Sequence, residues 1–522
     1  MNIEDITTDH DNRRILSRIK RNKEDIQDLY IQNEHEIEID DDDDEEVIDF
    51  GYVPEGVQDM GWLGYFVGKN EHLQNLYIRS FEPTSGADAM EALESFLMGV
   101  NNNKSIKRLD FDCIDMFFGG RVFTMLEPFF KNNNNLITLN VDECNLGAEG
   151  ARLLALAIGG SKHQSLQHVS LADNSISDEG MVDIITSLSL HPYMQNLYLE
   201  GNQLNKNGCM ALSTLLRYSC TKLQHLDLGS NELDDEGIDT LVPVLSKCTK
   251  LQELYIDNSP SITTRGWHHI ATLLEAPDSN LKILSINRNN VDDQVLTFMV
   301  DALANNNSLE SLFFLDGNQV TAKGWDSFLK LVCGRSSANS TFLSNHTLCD
   351  IDFSKQDLSQ VLTNKSRRIL SNLSSILFIN EIEDKKQVAM IKTYCRNYRN
   401  LDMSPFFEWE FKILPLMIDW LEKAFIACND YLNVCDPTSS EMARHEARHR
   451  SVQLSCIYQF VRDMPLLCVE TQLRKELDGI QAELDFGLCP WQWRGEEELL
   501  RLRRQEVEER KRNILEQLGR WR

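Results

Sequence analysis

The feature that most constrains this chain is a phrase, L-x-x-L-x-L-x-x-N, that returns at a nearly fixed interval. It reads Leu166, Val169, Leu171, Asn174, then Met194, Leu197, Leu199, Asn202, then Leu223, Leu226, Leu228, Asn231, and again Leu281, Leu284, Ile286, Asn289. Weaker copies start at Leu73, Ile106, Leu136, Leu251 and Leu309, and a last one reads Leu348, Ile351, Phe353. From Ile106 to Leu309 the seven successive intervals are 28 to 30 residues. A chain of 522 residues is too long for one ordinary core, and a repeat of this length implies an array that grows by stacking.

The phrase has a physical reading. Leucines alternate with polar residues because a short strand sends odd and even positions to opposite faces. The asparagine turns the chain out of the strand and satisfies backbone groups that the bend leaves unpaired. Fourteen residues after the start comes a glycine, as at Gly150, Gly180, Gly208 and Gly237, which opens a helix-spaced apolar stretch such as Met181, Ile184, Ile185 and Leu188. The units at Leu251 and Leu309 carry one more residue, and their glycines, Gly266 and Gly324, are each followed by tryptophan, Trp267 and Trp325. Each unit is therefore strand, turn, helix. Stacked units predict an α/β solenoid, with a parallel sheet lining a concave face and helices outside it.

Charge bears on the class of partner. With 52 Lys+Arg against 81 Asp+Glu, the net charge of −29 argues against nucleic-acid phosphates as a general partner and favours a basic protein. Residues 1–50 hold 18 acids and 6 bases, with seven consecutive acids from Asp40 to Glu46, and are expected to be a solvated, largely disordered leader with a short helix through Ile15, Leu16 and Ile19. No apolar run is long enough to span a bilayer, and Met1 is followed by acidic and polar residues with no secretory pattern. The thirteen cysteines are scattered, without a C-x-x-C pair, and read as free thiols of a reducing compartment. The expectation is a cytoplasmic monomer, with a nuclear location as the alternative.

The array is assigned to residues 51–353, about ten units including an N-terminal cap in which Trp62, Leu63, Tyr65 and Phe66 cover the first repeat. Residues 354–470 lose the strand phrase and take helical spacing, as at Phe411, Leu414 and Leu421, which predicts a helical cap over the open end of the array. Residues 471–522 read as a charged C-terminal helix or tail.

These residues resemble the leucine-rich repeats of the ribonuclease-inhibitor type. More closely, the chain is similar to a family of leucine-rich repeat proteins abundant in diatoms. The shared phrases include Asp59-Met-Gly-Trp-Leu-Gly-Tyr-Phe-Val-Gly-Lys69, Thr263-Thr-Arg-Gly-Trp267 and Tyr458-Gln-Phe-Val-Arg-Asp-Met-Pro465. The resemblance implies the fold and, in general terms, a protein partner on the concave face; it brings no catalytic residue. Arrays of this type also occur in ribonuclease inhibitors and in activators of Ran-type GTPases. On the second reading Arg79 or Arg108 would help order the GTPase site.

Alternate strand positions project into the concave face, and they supply the candidate partner-binding residues. These are Tyr77, Arg79, Asp110, Asp142, His168, Tyr198, Glu200, His225, Asp227, Glu253, Tyr255, Asp257 and Phe313. Aromatic anchors among acids suit a surface that carries lysines or arginines, because rigid rings supply burial and carboxylates supply orientation. No catalytic residue and no cofactor is implied. The string His445-Glu446-Ala447-Arg448-His449 matches the zinc-protease pattern H-E-x-x-H, but arginines at 444, 448 and 450 oppose a cation there, and the match is read as chance. Gly64 to Lys69 lacks the Ser/Thr that a phosphate-binding loop needs for Mg²⁺.

Overall fold

Ten short strands follow one another in register as one parallel sheet, in the order in which they occur along the chain. They are β1 (Asp28–Ile31), β2 (Asn75–Arg79), β3 (Arg108–Asp112), β4 (Thr138–Asp142), β5 (His168–Ser170), β6 (Asn196–Tyr198), β7 (His225–Asp227), β8 (Glu253–Tyr255), β9 (Ile283–Ser285) and β10 (Ser311–Phe313). The structure is a computed structural model. It describes residues 2–33 and 51–351 apart from 80, 82–87, 113–119, 161–164, 220, 277, 315–316, 335–339 and 342, together with scattered positions within 366–392, 477–478 and 505–515. The chain divides into two compact units, residues 1–334 with 343–385, and residues 335–342 with 386–522. The array lies in the first, and few positions of the second are described.

Helices return the chain from each strand to the next. They are α1 (His10–Lys20), α2 (Val57–Val67), α3 (Ala89–Val100), α4 (Arg121–Asn132), α5 (Gly147–Gly159), α6 (Asp178–Leu188), α7 (Lys206–Ser219), α8 (Asp235–Leu245), α9 (Thr264–Glu275), α10 (Asp293–Leu303) and α11 (Ala322–Val332). The core is continuous along the array: Leu197, Leu226 and Leu254 from the strands meet Leu188, Leu216 and Leu245 from the helices. Each such side chain contributes about 1.5–3 kcal/mol by leaving water, so stability grows unit by unit. The extra residue of two units lets Trp267 and Trp325 enter this core fully buried. Cys144, Cys209, Cys248 and Cys333 lie buried as free thiols.

The turn asparagines join neighbouring units. Asn202 Nδ2 donates to the carbonyl of Leu171, one unit back, at 2.9 Å, and its Oδ1 accepts from Ile176 N at 2.9 Å. Asn174, Asn231 and Asn289 repeat the arrangement. A second asparagine row runs along the other end of the strands, three residues before the phrases that start at 73, 106, 136, 309 and 348. Asn103 donates to Val67 O at 2.7 Å, Asn133 to Ile106 O at 3.0 Å, Asn306 to Leu274 O at 2.8 Å and Asn345 to Leu303 O at 2.9 Å. The first row satisfies buried carbonyls at the strand ends, and the second mostly carbonyls at helix ends such as Val67, Leu274 and Leu303, which have no partner within their helix.

The beginning of the chain departs from the expectation. Residues 3–31 belong to the array: β1 pairs with β2, and Ile15, Leu16 and Ile19 of α1 are buried in the common core. Ile26, Leu29 and Ile31 have the phrase's own spacing, which the neighbouring acids obscured. The array therefore starts one unit before residue 51, and α1 packs at its end where α2 had been expected as the cap. The outer edge of β1 is closed by Tyr52, whose N–H donates to Tyr30 O at 2.7 Å. Asn12 holds that segment by exchanging two bonds with the backbone of Val53. The acid run Asp40 to Glu46 lies outside the described residues.

The glycines of the phrase Gly64 to Lys69 serve packing. A methyl group on Gly64 would lie 2.2 Å from Phe96 O, and one on Gly99 would lie 2.1 Å from the Gly64 carbonyl carbon, so α2 and α3 touch backbone to backbone. At the far end, residues 350 and 311 form a last parallel bridge, and Leu370, Leu373, Ile376 and Leu377 join the same core. His445, Glu446 and His449, most of the expected cap at 354–470 and most of the tail at 471–522 lie outside the described residues. Among the described residues no helix is long and apolar enough to cross a membrane, and no group of His, Cys, Asp and Glu can hold a metal ion.

Candidate protein-binding face of the sheet

Each strand of β5 to β8 buries its middle residue and leaves its first and third half-buried on the face turned away from the helices. Register then sorts those side chains into rows. The first row places His168, Asn196, His225 and Glu253 side by side, and the second Ser170, Tyr198, Asp227 and Tyr255. A third row stands two residues further on each chain and includes Asp142, Glu200, Gly229 and Asp257.

Around β7 the rows form a closely connected group. The His225 ring lies between two tyrosines, 4.3 Å from the centroid of Tyr198 and 5.1 Å from that of Tyr255. Its Nδ1 is 2.8 Å from Glu253 Oε2, which also accepts from the Tyr255 hydroxyl at 3.3 Å. Burial holds the His225 imidazole below its ordinary pKa despite that carboxylate, so the ring is neutral near pH 7. Burial first, and the Glu253 charge next, push the Tyr255 phenol up to about 12.

The carboxylates beyond the rings crowd one another. Burial, then the charges of Glu200, Asp257 and Asp173, push Asp227 up to about 7, although its Oδ1 accepts from Gly229 N at 2.8 Å. Glu200 is raised by burial, then by Asp173, Asp257 and Asp142. Burial also raises Asp257 and Asp142, each of which accepts a serine hydroxyl at 2.6 Å, Ser285 for the first and Ser170 for the second.

A second group gathers at β2 and β3. Tyr77 stacks on Tyr30 with centroids 4.3 Å apart and planes 4° from parallel. Arg79 and Arg108 lie over the Tyr77 ring at 5.7 Å and 5.4 Å. Arg108 pairs with Asp110 at 2.9 Å, and Arg79 with Asp112 at 3.7 Å. Asp110 corrects an expectation: it is 2% exposed, sealed beneath Arg108 and Asn140, and offers nothing to a partner. His168 lies between the two groups with its pKa lowered by burial, and Phe313 stands on β10, two strands beyond Tyr255. Tyr30 and Asp173 were absent from the sequence-derived set. Tyr30 was hidden within the supposed leader, and Asp173 sits in a turn.

The strand, turn and helix unit with its asparagine bridges now has a name. It is a leucine-rich repeat. Residues 132–155, 162–184 and 219–242 match the protein-family pattern described as Leucine Rich repeat. The chain is 28% identical over 291 residues to the mouse NACHT, LRR and PYD domains-containing protein 14, covering 52% of this chain and 28% of that protein. It is 32% identical over 157 residues to mouse ribonuclease inhibitor, covering 30% of this chain and 33% of the inhibitor. Pig ribonuclease inhibitor is 25% identical over 217 residues, covering 41% of this chain and 46% of that protein. The chain thus spans between about a quarter and a half of these relatives' lengths. The similarity to the ribonuclease inhibitors covers only part of each chain, and the leucine-rich repeat is shown at the matched residues.

Proposed function

We propose that this protein is a non-catalytic scaffold that seats a partner protein with a basic surface on the concave face of its leucine-rich array. The observation that carries the reading is the adjoining pair of features at β6 to β8, a ledge of Tyr198, His225 and Tyr255 beside the carboxylates Glu200, Asp227 and Asp257. Rigid rings lose little entropy on binding, and a row of like charge steers an oppositely charged partner into place. Role as an inhibitor of a basic enzyme, after the manner the relatives' name suggests, is one form of this function. Regulation of a small GTPase is less well supported, because Arg79 and Arg108 are each committed to a carboxylate within the face.

The test is affinity capture with the full chain, followed by identification of the bound protein and a repeat with Tyr198, Glu200, Asp227, Glu253 and Tyr255 all changed to alanine. Loss of the partner at least about tenfold is expected, since central aromatic and charged anchors carry most interface energy. Undiminished capture by a folded variant would remove the concave face from the reading.

A further inference from the structure

The connections between strands and helices sort charge by edge. From α3 to β8, the six that lead from a helix into the next strand, 101–107, 133–137, 160–167, 189–195, 220–224 and 246–252, hold six lysines and no acid. The six that lead from a strand into the next helix, 113–120, 143–146, 171–177, 199–205, 228–234 and 256–263, hold seven acids and no lysine or arginine. All strand starts of a parallel sheet lie along one edge, so a chain of net charge −29 presents one basic edge.

At β6 to β8 that edge is also apolar. The N–H groups of Gln224 and Gln252 donate to the carbonyls of Gln195 and Gln224, which aligns successive units just before their strands. Two residues earlier stand Tyr193, Lys222 and Lys250, one per unit in a single row. Leu190 and Lys247 share a second place, four residues before their phrases, and Tyr218 stands in the last turn of α7, in the unit between them. Leu190, Tyr193 and Tyr218 are 45%, 55% and 66% exposed. The three lysines are exposed as well, and among the described residues none of them forms an ion pair. The negative end of a helix dipole favours lysines near helix C-termini, which accounts for part of the sorting. It gives no reason to leave a leucine and two tyrosines in water beside them, and apolar side chains gathered within a charged rim mark an interaction surface.

The chain itself carries the complement of this edge. Residues 34–50 hold eleven acids, no lysine or arginine, and five apolar side chains, Ile37, Ile39, Val47, Ile48 and Phe50. The segment cannot serve its own edge at β7 and β8. It leaves and rejoins the array at Asn33 and Gly51, beside the end of β1, whereas the lysines lie at the opposite ends of the strands. Six strand spacings separate β1 from β7, about 29 Å, while Asp43, at the centre of the acid run, is eight residues from Gly51, about 27 Å at full stretch. A neighbouring molecule has no such limit. The net charge opposes its approach at long range, but that repulsion is screened beyond about 8 Å at physiological ionic strength, whereas charges in contact are screened far less.

We infer that the edge at the starts of β6 to β8 is a self-association surface that takes the acidic segment 34–50 of a second copy of this chain. Lys222, Lys247 and Lys250 meet its acids, and Leu190, Tyr193 and Tyr218 meet its apolar residues. The surface is separate from the concave face and does not depend on the reading given to that face.

Two measurements on the full chain test this together, sedimentation velocity up to about 100 µM and fluorescence anisotropy with a labelled peptide of residues 34–50. The chain is expected to self-associate, and to become monomeric when the acids from Asp40 to Glu46 are replaced by asparagine and glutamine. Lys222→Glu, Lys247→Glu and Lys250→Glu combined should weaken the peptide at least about tenfold and abolish self-association, while Lys323→Glu on α11 should cost under about twofold. Leu190→Ser with Tyr193→Ser should weaken the peptide about fivefold, and so should serine at the peptide's own five apolar positions. Should a variant chain fail to fold by circular dichroism, the altered peptides give the same test on the parent. A parent chain that stays monomeric, a peptide that binds the lysine variant as tightly as the parent, or tighter lysine-dependent binding of polyuridylate or phosphatidylserine vesicles than of the peptide would overturn the inference. Loss of the peptide from the fivefold alanine variant of the concave face would place the segment on that face and overturn it as well.

Discussion

The side-chain amide of Asn231 donates to the carbonyl of Leu199, one repeat upstream, at 2.8 Å, while its oxygen accepts from Leu204 N at 2.9 Å. One buried residue thus closes its own turn and holds the preceding turn in place. Replacing it with leucine leaves Leu204 N and Leu228 O without this partner, while Leu199 O keeps Asn202 Nδ2 and Gly229 O keeps Gly201 N, at about 1–3 kcal/mol for each unsatisfied group. Asn231→Leu should therefore cost at least about 2 kcal/mol in urea unfolding. An unchanged midpoint would mean that the bridges add nothing beyond the leucine packing.

The contact of α2 with α3 allows a sharper packing test. A methyl group at Gly64 would meet Phe96 O at 2.2 Å, with backbone on both sides and no flexible side chain to yield. Gly64→Ala should separate the two helices and lower stability by about 2–4 kcal/mol, as overpacking against backbone does. The helix propensity of alanine would by itself stabilise by about 1 kcal/mol, so the sign of the measured change decides whether the close approach is real. The emission of Trp62, on the same helix, should shift with it.

Much of the fold could be read in the chain, and what escaped did so for physical reasons. Leu197, Leu226 and Leu254 declare their burial by alternation, because local backbone geometry alone decides which way they point. Ile26, Leu29 and Ile31 carry the same pattern, but a run of acids inserted after β1 parted that strand from its helix and lent the whole segment the look of a leader. The row Asn70, Asn103, Asn133 was equally visible as letters. Its meaning lies in carbonyls of the preceding unit, such as Val67 O and Ile106 O, which only the stacked structure brings near. The face shows the same divide. Register alone puts Tyr198, Asp227 and Tyr255 side by side, whereas the sealing of Asp110 under Arg108 depends on side-chain conformations that no pattern encodes.

The crowded carboxylates predict a cost at alkaline pH. Asp227 is raised to about 7 in the folded chain by burial and by Glu200, Asp257 and Asp173, which face it from just beyond the ends of β6, β8 and β5. In the unfolded chain it titrates near about 4. Between these values the folded state holds the proton more tightly, so its contribution to stability is full below about pH 4 and is lost as pH rises through 7. Asp227→Asn should raise the melting temperature at pH 8 and leave it nearly unchanged at pH 4, the difference corresponding to at most about 4 kcal/mol. A constant offset between variant and parent across that range would show that repulsion is not the source.

His191 predicts the opposite limb. It occupies the place of an asparagine in the second bridging row, 1% exposed: its Nδ1 accepts from Leu166 N at 3.4 Å, and it bonds the Ile158 carbonyl at a helix end as Asn306 bonds Leu274. The bond accepted by Nδ1 needs the neutral ring, and burial lowers the pKa to about 4 although the bond to Ile158 O works the other way. A depressed base costs stability as pH falls from its unfolded value near about 6.5 to its folded value, because only the unfolded state takes up the proton readily there. His191→Asn keeps one acceptor and one donor but cannot be protonated. The variant should match the parent at pH 7.5 and exceed it at pH 4.5 by about 2–3 kcal/mol, measured by thermal melts across that range. Equal acid sensitivity in both proteins would place the acid limb elsewhere in the chain.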